Sequence, residues 1–310
     1  MQLPRRSNGV VICGLIVDQN SFKTIADLLN VASSVLEDAE IPNSRREASG
    51  LLEFATGLTR TAIIAHPEAL IDSSVERRFL GILERRRKRE PFHYITGSKE
   101  FFGLDFLVDR RVLIPRPETE LLVEKGLSKL KELEDSIFCE IGVGSGCVSI
   151  SILKNHKGAR GIGLDISNDA LKVAMGNAER HGVYERLELI ESDLFSGLEK
   201  GILFDAIISN PPYVSSKDLE GLEPEVRDFE PRKALTDGDS GLGLIRKIIS
   251  DSPYFLKDDG LIAIEIGFDQ RHAVEGMFTD TLWKDVGFVR DLQGHERIVF
   301  ATRRARSASN

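Results

Sequence analysis

A chain of 310 residues is long enough to hold two domains and bury a sizeable core, and its 41% hydrophobic and 29% charged residues are those of a globular protein. A net charge of −8 argues against a protein whose affinity comes mainly from wrapping phosphates, so no stable nucleic-acid binding is expected, although a local basic patch can coexist with an acidic whole. Three cysteines (Cys13, Cys139 and Cys147) stand at no metal-ligand spacing and no apolar run approaches the length of a membrane span, so the composition points to a cytoplasmic protein with reduced thiols, no metal and no membrane partner.

Residues 1–20 read as an N-terminal extension. Val10 to Val17 is apolar behind Arg5 and Arg6, but the run is short, holds a glycine and lacks a small-residue cleavage site. An alternative start site or a weak organellar leader is also compatible with it. Residues 21–90 carry apolar positions at helical spacing. Ser21 to Glu40 holds Ile25, Leu28, Leu29, Val31, Val35 and Leu36, and a second stretch capped by Asn43 or Ser44 holds Ala48, Leu51, Leu52 and Phe54. Two further helical stretches, near Thr59 to Ala65 and Val75 to Glu90, complete a small helical bundle. The run Arg85 to Arg89 is either a solvated last turn favoured by the helix dipole or a docking patch for an acidic or nucleic-acid partner.

At Pro91 the texture changes. Residues 91–113 are rich in aromatic and β-branched types with Gly97 and Gly103, which predicts a β-hairpin linker. Pro115 to Glu120, with proline followed by acids, is the opening turn of a helix. From Ile137 strands alternate with helices. Strands are predicted at Ile137–Ile141, Gly161–Asp165, Leu187–Ile190, Phe204–Ser209 and Leu261–Ile266, with helices at Cys147–Lys154, Asp169–His181 and Gly241–Phe255. Such alternation implies an α/β fold, a parallel sheet with helices on both faces. A last pair, Phe288–Asp291 and Arg297–Thr302, adds an antiparallel strand, so residues 114–302 form one domain and 303–310 a disordered tail.

Chemistry concentrates at the strand ends. Asn210-Pro211-Pro212-Tyr213 follows a run buried on both faces, where ligands of open α/β sheets bind. The prolines stiffen the backbone and hold a carboxamide beside a carbonyl oxygen that no strand claims. Two such acceptors can receive both hydrogens of one planar NH2 group while Tyr213 packs on its plane. Upstream, Glu140-Ile141-Gly142-Val143-Gly144-Ser145-Gly146 turns the first strand into a helix whose free N–H groups suit an anion. Cys147 breaks the dinucleotide G-x-G-x-x-G spacing, and the pattern suits a nucleoside with an amino-acid tail. Asp165 ends the second strand, as an acceptor for ribose hydroxyls or a helix cap; the glycine loop favours the ribose. Asp193 lies where an adenine amino group would be met, with Leu194 or Phe195 flanking the ring, although a simple turn aspartate fits almost as well.

Gly142 to Gly146, Asp165 and Asn-Pro-Pro-Tyr together resemble the class I S-adenosylmethionine-dependent methyltransferases, with their Rossmann-like seven-stranded sheet. Pro91 to Gly97, Leu113 to Glu120, Phe229 to Leu235 and Asp239 to Leu242 are similar to the corresponding stretches of the HemK/PrmC family, the peptide chain release factor glutamine methyltransferases. One departure is Glu140, where the family usually has aspartate, a lengthening that shifts the acid's contact. The resemblance implies S-adenosyl-L-methionine as cofactor, held by Glu140, Gly142, Val143, Gly144, Ser145, Gly146, Asp165, Asp193, Leu194 and Asn210. It implies a glutamine side-chain amide as substrate, held at Asn210, Pro211, Pro212 and Tyr213, in the Gly-Gly-Gln loop of a release factor, with the helical domain of residues 21–90 recognising the rest of that substrate protein. A monomer is expected. The alternatives are an adenine-N6 methyltransferase of nucleic acids, which would use the same corner on an exocyclic amine, and a methyltransferase of a ribosomal-protein glutamine.

Overall fold

The computed structural model describes the backbone of residues 9–12 and 15–18 and all of residues 23–305. It divides into two compact units at Thr96 and Gly97.

In the first unit, β1 (Gly9–Ile12) and β2 (Leu15–Asp18) pair antiparallel, Gly9 opposite Asp18, so the stretch expected to be an irregular extension contains a hairpin. The β-branched residues Val10, Val11, Ile12, Ile16 and Val17 are the local reason. The rest is helical: α1 (Ile25–Asp38), α2 (Ser44–Thr56), α3 (Arg60–Ala65), α4 (Ser73–Arg87) and α5 (Phe92–Thr96). Thr24 starts α1 with a capping box, its Oγ1 accepting from Asp27 N at 3.1 Å while Asp27 Oδ2 accepts from Thr24 N at 3.1 Å. Leu28, Leu36, Leu51, Leu52, Phe79 and Leu83 close the core. Pro91 to Thr96, expected as the start of a hairpin, is instead one helical turn, because Tyr94 N and Ile95 N both donate to the Pro91 carbonyl and Ile95 is drawn into the core. The arginine run is solvated in part, at Arg85 and Lys88, and tied down in part. Arg86 is buried against Glu47 at 2.8 Å, Arg85 pairs with Glu90 and Arg87 with Glu84, and Arg89 donates to the carbonyls of Ala39 and Glu40. It stitches α4 to α2 and to the end of α1.

The second unit opens with the hairpin β3 (Ser98–Phe101) and β4 (Leu104–Leu107), then α6 (Glu120–Leu130). The alternating part follows: β5 (Ser136–Ile141), α7 (Cys147–Asn155), β6 (Ala159–Asp165), α8 (Asn168–Arg180), β7 (Leu187–Glu191), β8 (Phe204–Ser209), α9 (Pro224–Phe229), α10 (Gly243–Asp251), β9 (Leu256–Glu265), α11 (Arg271–Glu275), β10 (Trp283–Arg290) and β11 (Glu296–Arg303). Seven strands make one sheet in the order β10-β11-β9-β8-β5-β6-β7, parallel except that β11 runs antiparallel to both neighbours. The tail expected from 303 lies partly in β11, and residues 306–310 are outside the described residues.

Period-two alternation fills both faces of the sheet. Phe138, Ala206, Ile208 and Ala263 meet Leu122, Val148 and Ile152 of α6 and α7 on one side. Cys139, Ile207, Ile262 and Ile264 meet Ile245 and Ile248 of α10 on the other. All six residues of β8 are buried. Its one charge, Asp205, is matched by Lys257 Nζ at 2.9 Å and by Ile137 N at 2.9 Å, as a buried charge requires.

Candidate active site

β5 and β8 are parallel neighbours, with Ile141 paired to Ser209, and the chain leaves them toward opposite edges of the sheet. That reversal is a topological switch point, where open sheets leave a crevice. A cavity of about 510 Å³ occupies it, within the size range of small-ligand pockets.

One wall is the glycine turn. Gly142 and Gly144 have φ of 74° and 53°, a left-handed conformation that side chains disfavour. Gly142 N and Val143 N donate to the Leu164 carbonyl at 2.8 and 3.0 Å, and Gly144 N donates to Asp165 Oδ2 at 2.9 Å. A Cβ on Gly142 would lie 3.8 Å from the Asn210 carbonyl oxygen, so turn and corner are in direct apposition. Val143, Ser145 and Glu140 also line the cavity. Gly146 does not; a Cβ there would press on Ile150 and Ala174, so its role is to let α7 and α8 approach.

Glu140 is 2% exposed, and its Oε2 accepts from Ser149 N at 2.9 Å and from the Ser149 hydroxyl. Burial pushes its carboxyl up to about 8, against the pull of those two bonds. The lengthened acid therefore reaches the third N–H of α7 and caps the helix from outside. Asp165 is raised by burial as well, opposed by the N–H groups of Gly144 and Ser167. Capping α8 falls to Ser167, whose Oγ accepts from Ala170 N at 3.3 Å, so Asp165 keeps lone pairs for a ligand. Asp193 is exposed at the cavity rim. Beside it Leu194 lines the cavity at φ 50°, a strained setting for a leucine, held by the Ser192 hydroxyl donating to its carbonyl at 2.6 Å. Phe195 is buried and stacked on Phe255 with centroids 4.5 Å apart, so only Leu194 of the two faces the cavity.

The facing wall is the corner. Asn210, Pro211 and Pro212 line the cavity. Asn210 Nδ2 donates to Thr119 Oγ1 at 3.1 Å, and no described residue donates to Asn210 Oδ1 or to the Pro211 carbonyl. Tyr213 does not line the cavity. Its hydroxyl donates to Glu265 Oε1 at 3.3 Å, burial holds the phenol well above its ordinary range, and its carbonyl accepts from Gln270 Nε2 at 2.9 Å. Gly241 is essential to this packing, because a Cβ there would lie 2.1 Å from the Tyr213 oxygen. Asp237 holds that glycine's loop by accepting from the N–H groups of Asp239, Gly241 and Gly243. Arg116 on the cavity wall pairs at 2.7 Å with Glu230, whose side chain is 1% exposed. Thr119, Glu265, Gln270 and Asp237 were not singled out from sequence as site residues. Glu265 did carry a signal: it is an acid closing the apolar run Leu261 to Ile264.

Comparison with known proteins places the chain in a family. Residues 27–97 match the PrmC N-terminal domain and residues 118–222 the methyltransferase small domain. The chain is 39% identical over 285 residues to the release factor glutamine methyltransferase of Nitratidesulfovibrio vulgaris, covering 91% of this chain and 96% of that protein. The chain belongs to the release factor glutamine methyltransferase family. The family member of Geobacter sulfurreducens is likewise 39% identical over 276 residues, covering 89% of this chain and 95% of that protein. A methyltransferase of Pyrococcus furiosus of known structure shares the fold, with a TM-score of 0.50 at 17% identity over 72% of this chain and 98% of that one. The second unit thus has the class I methyltransferase fold that the sequence predicted, with a helical unit before it.

Proposed function

We propose that the protein transfers a methyl group from S-adenosylmethionine to the side-chain amide nitrogen of the glutamine in the Gly-Gly-Gln loop of a peptide chain release factor. Membership of the family supports the substrate and the cofactor. The observation that carries the chemistry is the corner: a rigid carboxamide oxygen and a neighbouring carbonyl oxygen, both without a donor among the described residues, open onto a glycine-walled cavity.

The residues present fit the cofactor. Gly142 and Gly144 leave the cavity floor free of side chains, Asp165 retains acceptor capacity for ribose hydroxyls, and Asp193 and Leu194 offer an acceptor and an apolar flank for a purine. When bound, the cofactor supplies an electrophilic methyl on a sulfonium centre. The protein's own task is positioning, because an amide nitrogen is a poor nucleophile whose lone pair is delocalised. Asn210 Oδ1 and the Pro211 carbonyl accept the two amide hydrogens, fix the plane of the group and raise electron density on nitrogen as it becomes positive. Pro212 walls one side. Holding reactants in line can supply about 7–11 kcal/mol of barrier lowering. No side chain is assigned as general base, and the proton leaves after transfer. Among the described residues no helix is long and apolar enough to cross a membrane.

The test is incubation with labelled cofactor and either a release factor or plasmid DNA. Label is expected on the release factor; label on the DNA alone would overturn the reading in favour of an exocyclic amine substrate.

A further inference from the structure

Behind the corner lies a chain of polar groups that the proposed chemistry does not use. Glu265, the last residue of β9, is 1% exposed, and Thr119, in the turn before α6, is 3% exposed. The Thr119 hydroxyl donates to Glu265 Oε2 at 2.7 Å, the Tyr213 hydroxyl donates to Glu265 Oε1 at 3.3 Å, and Asn210 Nδ2 donates to Thr119 Oγ1 at 3.1 Å. An ionised carboxylate only accepts, and threonine has a single hydroxyl hydrogen. With that hydrogen committed to Glu265, Thr119 Oγ1 is left as an acceptor. A carboxamide facing it must present NH2, which turns its oxygen the other way. The two flipped orientations of an isolated carboxamide fill the same space, so proline stiffening alone does not choose between them.

We infer that Thr119, backed by Glu265, is a positioning residue that sets which way the Asn210 carboxamide points, keeping Oδ1 toward the substrate amide. The inference rests on the methyl-transfer reading and extends it to Thr119, which also lines the cavity, and to the buried Glu265 behind it. A flipped Asn210 would set NH2 against the substrate's NH2, two donors facing each other, and the nucleophile would lose its acceptor. The same buried acid holds the Tyr213 hydroxyl, so both ends of the Asn-Pro-Pro-Tyr corner are tied to one point, through Thr119 at one end and directly at the other. Burial pushes Glu265 up to about 7, opposed by the Thr119 and Tyr213 bonds and by Arg297, so the carboxylate that only accepts, and with it the fixed orientation of Asn210, belongs to the pH range above that value.

The experiment compares full-length wild type, Thr119→Val and Thr119→Ser, with a release factor and S-adenosylmethionine as substrates. Valine keeps the volume and removes the hydroxyl, while serine keeps the hydroxyl. Thr119→Val should lower kcat about 10- to 100-fold with KM for the release factor and for the cofactor within about twofold, the pattern of a lost transition-state interaction. Thr119→Ser should recover most of that loss. If the valine variant does not fold, Thr119→Ala, which adds no methyl contact, takes its place in the same comparison. Wild-type turnover in the hydroxyl-free variant, a serine variant no better than valine, or a loss confined to KM would overturn the inference. A wild type that leaves the release factor unmethylated would instead overturn the methyl-transfer reading itself.

Discussion

The glycine turn and the strand-tip corner sit at the ends of two hydrogen-bonded strands and face each other, yet they are held in opposite ways. The turn is secured by groups close to it in the fold's own ladder: the Leu164 carbonyl, the Asp165 carboxylate at the end of the next strand, and Glu140 reaching forward to Ser149. The corner is secured by side chains remote in sequence, Thr119, Glu265 and Gln270, together with a glycine on a separate loop. A loop that only has to clear space and present backbone can be specified locally. A group that must meet a substrate in one orientation needs supports from several elements, since each support fixes a different degree of freedom. The expected consequence is a division of labour, with turn variants showing up in cofactor affinity and corner variants in the rate of transfer.

The largest effect is expected at the corner itself. Asn210→Ala should lower single-turnover methyl transfer about 10²- to 10³-fold, the usual cost of removing one preorganised polar contact, with the cofactor dissociation constant nearly unchanged. Titration calorimetry on the same preparation checks the second half. Next comes Gly241→Val, which forces a side chain onto the Tyr213 carbonyl at a residue whose φ is 75°. Its kcat should fall about 10-fold or more through displacement of the corner, since misplacement by an ångström can cost that much. Gly144→Ala, at φ 53° with room for the methyl, strains the turn by about 1–2 kcal/mol. It should raise the cofactor dissociation constant about 10-fold and leave kcat at saturation alone. A fall in kcat instead would erase the contrast between the two walls.

The smallest effect is a pH dependence of stability that separates the two walls. Burial raises Glu265 to about 7 and Glu140 to about 8, whereas both ionise near 4.3 in an unfolded chain. Between those values the folded protein binds more protons than the unfolded one. The stabilisation from each is therefore complete below the unfolded value and is lost as pH rises through the folded one. Glu265→Gln should flatten the fall in Tm up to roughly pH 7, and Glu140→Gln the part that continues to roughly pH 8. Parallel Tm–pH curves for wild type and both variants would contradict this assignment of the buried acids.

What could be read from the sequence follows the same division. The alternating strands and helices, the glycine turn and the strand-tip tetrapeptide are local patterns, and each was found where its period or its turn chemistry put it. The hairpin of residues 9–18 was missed because its strands are only four residues long, and the turn of helix at Phe92 because aromatic residues there imitate a strand. Tyr213 was expected to wall the substrate plane, but its hydroxyl is bound to Glu265, a partner 52 residues away. The pairing of Thr119 with Glu265 spans 146 residues, and no window of sequence contains it. Only the presence of an acid in a buried strand hinted that something polar had to meet it.

The account turns on which atom receives the methyl group. Tandem mass spectrometry of a release factor treated with S-adenosylmethionine and either wild type or Asn210→Ala locates it directly. The account predicts one methyl on the side-chain nitrogen of the Gly-Gly-Gln glutamine with wild type and almost none with the variant. A methyl on any other residue, or equal modification by both proteins, would contradict it.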